Sequence, residues 1–70
     1  MTTGNDVSQL TALERRCLAL AARGKATDEI ARETDLSPER ATQVLRSATD
    51  KLGARNLTGA ISRAARLGLI

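Results

Sequence analysis

The sequence has no phenylalanine, tyrosine, tryptophan or histidine, and only one cysteine and one proline. Without aromatic rings, the core has to be built from Leu, Ile, Val and Ala. It forgoes the roughly 150–250 Å² of burial that each aromatic side chain supplies. A chain of 70 residues with so light a core is one small, marginally stable domain. That suits an all-α bundle that gains from pairing with a second copy. Without histidine there is neither an imidazole base for a catalytic triad nor a Cys/His metal cluster. Cys17 alone excludes an internal disulfide and a cysteine-based zinc site, and it points to a reducing compartment. No apolar run approaches the roughly 20 residues of a bilayer span. The opening Met1-Thr2-Thr3-Gly4-Asn5-Asp6 lacks the basic and apolar regions of a signal peptide. The expectation is a cytoplasmic protein with no membrane partner, metal, cofactor or small-molecule ligand. Carboxylates such as Glu29 and Glu33 sit among helical neighbours as solvated faces do, so no enzyme is expected.

What is present is an uneven distribution of charge. Residues 1–39 hold five basic against seven acidic residues, a net of −2, whereas residues 40–70 hold six against one, a net of +5. The basic half is what a phosphate-facing surface requires. The plainer alternative is that its arginines solvate exposed helix faces.

The chain reads as four helices. Residues 1–9 are small and polar and form a flexible N-terminal tail, leaving 10–70 as the folded domain. Thr11 with Glu14 makes a capping box, and Leu10 before it is placed as a hydrophobic staple. Leu13, Cys17, Leu20 and Ala21 follow at helical spacing, with Leu18 flanking them and Gly24 as a left-handed stop. A second helix runs from about Thr27, taken as its cap, to Thr34, with Asp28 and Glu29 in its first turn and Ile30 and Ala31 buried. Asp35-Leu36 turns the chain. Ser37-Pro38-Glu39 then opens a third helix as cap, first-turn proline and first-turn acid. Ala41, Val44, Leu45, Ala48 and Leu52 form one apolar stripe, and Gly53 ends the helix. A fourth helix is expected from near Thr58 to Leu67, with Gly68 as its stop. Its two small-residue faces are Leu57/Ala60/Ala64/Leu67 and Ile61/Ala65/Gly68; one is expected on the core and the other on a partner, with Ile61 and Ala65 as the dimer contacts.

A short helix, a tight turn and a longer amphipathic helix, in a basic protein without catalytic groups, most often form a DNA-reading unit. The polar face of the third helix offers Thr42, Gln43 and Arg46 as base contacts. Gln can bond adenine in a bidentate manner, Arg can do so to guanine, and Thr can bond a base edge or touch the thymine methyl. Arg40, Lys51 and Arg55 lie towards the helix ends where phosphates pass, and Thr27 joins them as a fourth phosphate contact. Glu39 and Asp50 work against phosphate on that face. The competing reading is a solvated helix surface.

From Leu10 to Ile70 the chain resembles the LuxR-type (GerE-type) helix-turn-helix domain. The resemblance is carried by Leu10-Thr11, Glu14, Leu18, Leu20, Ala22 and Gly24 at the front, and by Glu29-Ile30-Ala31 and Leu36-Ser37 in the middle. Lys51-Leu52-Gly53, Asn56, Ala60 and Gly68-Leu69-Ile70 close it. The resemblance implies a compact four-helix bundle of the LuxR C-terminal effector kind that binds double-stranded DNA as a homodimer. Its third helix, about 38–52, would enter the major groove, and its fourth would supply the dimer contact. The family's base-contacting positions fall on Thr42, Gln43 and Arg46.

The chain departs from the family pattern at several positions that usually face phosphate or base. Leu13 stands where the family generally has Arg, Asp28 where it has Lys, and Arg40-Ala41 where it has Thr-Val. Thr42, Val44 and Leu57 replace a commonly basic residue, a frequent His and the usual Arg. Two functions are therefore in view. One is a sequence-specific transcription regulator. The other is a degenerate helix-turn-helix domain used for protein contact, with another regulator or RNA polymerase as partner. Members of the family usually follow a receiver or ligand-binding domain. The polar start after Met1 favours a stand-alone regulator controlled by its abundance over an excised domain.

Overall fold

A computed structural model describes residues 10–70, so the tail expected over 1–9 lies outside the described residues. Four helices follow in order: α1 (Ala12–Ala22), α2 (Thr27–Glu33), α3 (Pro38–Lys51) and α4 (Leu57–Arg66). No strand occurs among the described residues, and the fold is all-α. α1 and α3 pack against each other and form the central pair, with α2 and α4 packed on both.

Local chemistry sets the helix starts. At α1 the box closes in both directions: the Glu14 N–H donates to Thr11 Oγ1 at 3.0 Å, and the Thr11 N–H donates to Glu14 Oε1 at 2.8 Å. Ser37 Oγ accepts the Arg40 N–H at 3.1 Å, and Pro38 opens α3 as its first residue. The cap of α2 differs from expectation, and that of α4 adds to it. Ala26, not Thr27, caps α2; Ala has no acceptor, so Glu29 alone closes the end, its Oε1 taking the Ala26 N–H at 2.9 Å. Asn56 caps α4, its Oδ1 taking the Gly59 N–H at 2.8 Å, so the helix begins at Leu57 and ends at Arg66.

All four helices end in the same manner, with a left-handed residue just past the cap: Gly24, Asp35, Gly53 and Gly68. Each end is closed by the paired backbone bonds of a Schellman turn. After α2, the Leu36 N–H reaches the Ala31 carbonyl at 2.8 Å and the Asp35 N–H reaches Arg32 at 3.4 Å. Asp35 is the one non-glycine residue at positive φ among the described residues, at 61°.

The core is aliphatic. Leu18, Ile30, Leu52 and Cys17 are its largest fully buried side chains. The α3 stripe of Ala41, Val44, Leu45, Ala48 and Leu52 is buried as the periodicity predicts. The α1 stripe is turned: Leu18 is at its centre, while Leu13 and Ala21 are half-buried at the rim. The turn follows from Glu14, which points inward. Leu10 is buried in the main cluster; the staple position opposite it is Arg15, which offers no apolar partner.

The backbone geometry makes opposite predictions for two ends. Asp35→Gly removes left-handed strain at the α2–α3 turn and is expected to raise stability by up to about 1 kcal/mol. Gly24→Ala has open space for its methyl group, but φ at this position is +86°. It is expected to lose about 1–2 kcal/mol from backbone strain alone. Urea unfolding of both variants checks the pair, and a Gly24→Ala variant as stable as the parent would contradict it.

Candidate nucleic-acid interface

α3 is the element on which the candidate site is built. Its buried stripe faces α1, α2 and α4, which leaves Glu39, Thr42, Gln43, Arg46 and Asp50 exposed along the outer ridge. Two shallow grooves run beside that ridge.

The groove on the α2 and α4 side gathers side chains from three elements. Thr27 is the first residue of α2, Thr42, Arg46, Thr49 and Asp50 belong to α3, and Arg55, Asn56 and Leu57 come from the α3–α4 connection and the start of α4. Four of the residues expected at DNA (Thr27, Thr42, Arg46 and Arg55) thus line one concavity. Asp50 in the same groove opposes phosphate, and Leu57 gives it an apolar wall.

The groove on the α1 side holds Arg40 and Gln43, with Thr11, Leu13, Glu14, Val44 and Ser47. Arg40 Nη1 donates to Gln43 Oε1 at 3.3 Å across one helical turn. The Thr42 hydroxyl donates back to the Pro38 carbonyl at 3.0 Å, which commits its proton within the helix.

Glu14 forms the floor of this side. It is 6% exposed and is the one buried charged residue among those described. Its Oε2 accepts the Ser47 hydroxyl at 2.7 Å and its Oε1 accepts Lys51 Nζ at 3.0 Å, beside the Thr11 N–H. Burial alone would push its pKa up. The Thr11 backbone bond, the Ser47 hydroxyl and the Lys51 ammonium together hold it below the ordinary carboxylate value. Cys17 is fully buried, and burial pushes its thiol pKa up.

Three outcomes differ from the sequence reading or add to it. Lys51, expected at phosphate, is half-buried and ion-paired to Glu14. Arg63, counted in the basic half, donates Nη1 to the Leu52 carbonyl at 2.9 Å and closes the end of α3. The two faces of α4 also divide differently: Ala60 and Ala64 are fully buried, Ile61 packs partly against the core, and Ala65 and Leu67 face outward. Asn56 was visible in the sequence as a helix-capping residue type. The reach of Glu14 to α3, over 33 and 37 residues, had no local signal. Asp28 and Leu13 are exposed and half-buried respectively, on separate grooves.

This geometry defines a helix-turn-helix protein, with α2 and α3 joined by the Asp35-Leu36 turn. The chain belongs to the luxR family of bacterial regulatory proteins: the GerE domain of that family matches residues 8–64. Neither a curated protein nor a solved structure matches the chain. The family points to a DNA-binding transcription regulator. Among the described residues, no helix is long and apolar enough to cross a membrane, and no group of three or more His, Cys, Asp or Glu residues is placed to hold a metal.

The Glu14 carboxylate generates a signed pH prediction. Its folded pKa is lowered, so its contribution to stability is complete above the ordinary glutamate pKa near 4.5. That contribution disappears as pH falls through the lower folded value. Glu14→Gln should lose about 1–3 kcal/mol at neutral pH and show a shallower decline in acid. Thermal melts of both proteins from pH 7 to pH 3 check this; parallel curves would contradict it.

Proposed function

We propose that the protein is a sequence-specific DNA-binding transcription regulator that acts as a homodimer and lays α3 in the major groove. The supporting observation is the convergence of Thr27, Thr42, Arg46 and Arg55, from three elements, on one open groove along α3. In this reading Thr42, Gln43 and Arg46 address base edges, and Thr27, Arg40 and Arg55 address phosphate. Lys51, which is ion-paired to Glu14, is the remaining phosphate contact in this reading.

The dimer would form through α4. Ile61 lends one edge to the core and Ala65 is exposed, as are Leu67 and Ile70, the two large hydrophobic residues most open to solvent among those described. An isologous contact there would cover both.

A genome-wide DNA-binding assay at several salt concentrations tests the regulator reading. The parent should enrich a defined sequence at near-physiological salt, and a Gln43→Ala/Arg46→Ala double variant should lose it. Arg55→Ala should weaken binding to all sequences alike and reduce the log–log salt slope by about 1. Weak, sequence-blind binding by the parent would sink the proposal and favour a domain used for protein contact. For the dimer, sedimentation of Ala65→Glu should shift the protein towards monomer without loss of helicity. An unchanged association state would remove α4 as the interface.

A further inference from the structure

A dimer that reads DNA with one helix and pairs through another needs a fixed link between the two. We infer that Arg63 is the positioning residue of that link. By tying α4 to the end of α3, it sets the separation of half-sites that the homodimer accepts. This rests on the proposed reading by α3 and pairing through α4.

α3 ends at Lys51 and α4 begins at Leu57, so a short connection joins them, with the left-handed Gly53 inside it. On its core side α4 offers Ala60 and Ala64, and the cap of α3 is Leu52; all three are fully buried. Contacts between such aliphatic groups hold the helices close, but they are non-directional. The directional bond comes from Arg63, three positions after Ala60, whose Nη1 donates to the Leu52 carbonyl at 2.9 Å. The carbonyls of Ala48, Thr49 and Asp50 are taken by the N–H groups of Leu52, Ala54 and Gly53 within the turn itself. The Leu52 carbonyl, in contrast, is bonded from the next helix. A charged donor makes this one of the stronger kinds of hydrogen bond, and its charge lies at the negative end of the α3 dipole.

Arg63 lies in the chain between Ile61 and Ala65, the two proposed dimer contacts. Any change in the setting of α4 on α3 therefore moves the partner copy relative to the reading helix, and two-fold symmetry repeats the change in the partner. Half-site separation in such dimers is fixed by geometry, at about 34–36 Å for 10–10.5 base pairs. A change of one base pair is thus only about 3.4 Å, a displacement that small play at two α3–α4 joints can reach. Base reading itself depends on Thr42, Gln43 and Arg46, and α3 is held on its other side by the bonds of Ser47 and Lys51 to Glu14. Loss of the Arg63 bond should consequently loosen the spacing of half-sites and leave their sequence unchanged.

Binding sites are first selected from a randomised duplex library; the half-site found is then presented twice, with the separation varied one base pair at a time. The parent should favour one separation over its neighbours by roughly tenfold or more, the worth of one charge-assisted bond. Arg63→Met keeps a long stem without a donor, and Arg63→Gln shortens the reach. Both should select the same half-site and sediment as the parent does, yet favour that separation by only roughly threefold or less. Arg63→Lys, which keeps a charged donor, should fall nearer the parent. Gly24→Ala, destabilised at the α1–α2 turn, should keep the parent's spacing, which separates positioning from stability. If one of the Met and Gln variants loses helicity, the other carries the comparison; loss in both would make Arg63 a folding residue and overturn the inference. Undiminished spacing preference in a folded Met or Gln variant would overturn it while leaving the regulator reading intact. A parent that accepts every separation alike would overturn it together with the dimer, and a parent that selects no motif would overturn the regulator reading as well.

Discussion

One buried carboxylate governs how α3 is presented. Glu14 lies near the start of α1, and all its bonds run either to its own cap or to α3. A charge taken out of water is costly unless every bond it can accept is made. Glu14 meets that condition only when α1 is capped at Thr11 and α3 brings Ser47 and Lys51 to the same place. Those two residues are four apart and lie on one row of α3, so binding both fixes the rotation of the helix about its axis. The aliphatic core around it buries the α3 stripe but contributes no directional bonds of this kind. With α3 set in this way, its opposite row, Thr42, Arg46 and Thr49, is turned towards Thr27 and Arg55.

The helix ends carry the remaining specification. Four Schellman turns close four helices within about 60 residues of chain, so a large share of the backbone groups a short helix leaves unsatisfied are bonded locally. This matters in a domain too small to anchor its helices by burial alone. α2 is the extreme case: it has 7 residues, no side-chain acceptor at its cap, and an aspartate in the left-handed position after it. Its place depends on Ile30 and Ala31, which are buried beneath α3.

What could be read from the chain follows the range of the interactions concerned. The α3 stripe, the Ser37-Pro38 start and the Gly24, Gly53 and Gly68 stops are local patterns, and each is found where periodicity and capping chemistry put it. The cap of α2, expected at Thr27, is Ala26, because threonine is the better capping residue type and Ala26 gives no local signal; α4, expected from near Thr58, begins one residue earlier at Leu57 behind Asn56. On α1, the apolar residues suggested a stripe through Leu13, yet Leu18 is central, because the inward turn of Glu14 rotates the helix. That turn depends on partners more than 30 residues away. The same range explains Lys51 and Arg63: a basic residue near a helix end looks equally suited to phosphate or to a distant carboxylate or carbonyl.

The electrostatic footprint is consequently smaller than the composition suggests. Of the six basic residues beyond Glu39, Lys51 is paired with Glu14 and Arg63 caps α3. Arg40, Arg46, Arg55 and Arg66 are exposed, with Asp50 set among them in the groove of Arg46 and Arg55. Arg40, Arg46 and Arg55 are thus the guanidinium groups that face outward around α3, and Asp50 offsets part of their charge. For the proposed dimer, joining two such surfaces would raise affinity for a double site without new contacts in either copy. Leu13, Asp28 and Leu57 all lower the positive charge beside α3 relative to the family pattern, and Thr42 does the same on the α3 ridge itself.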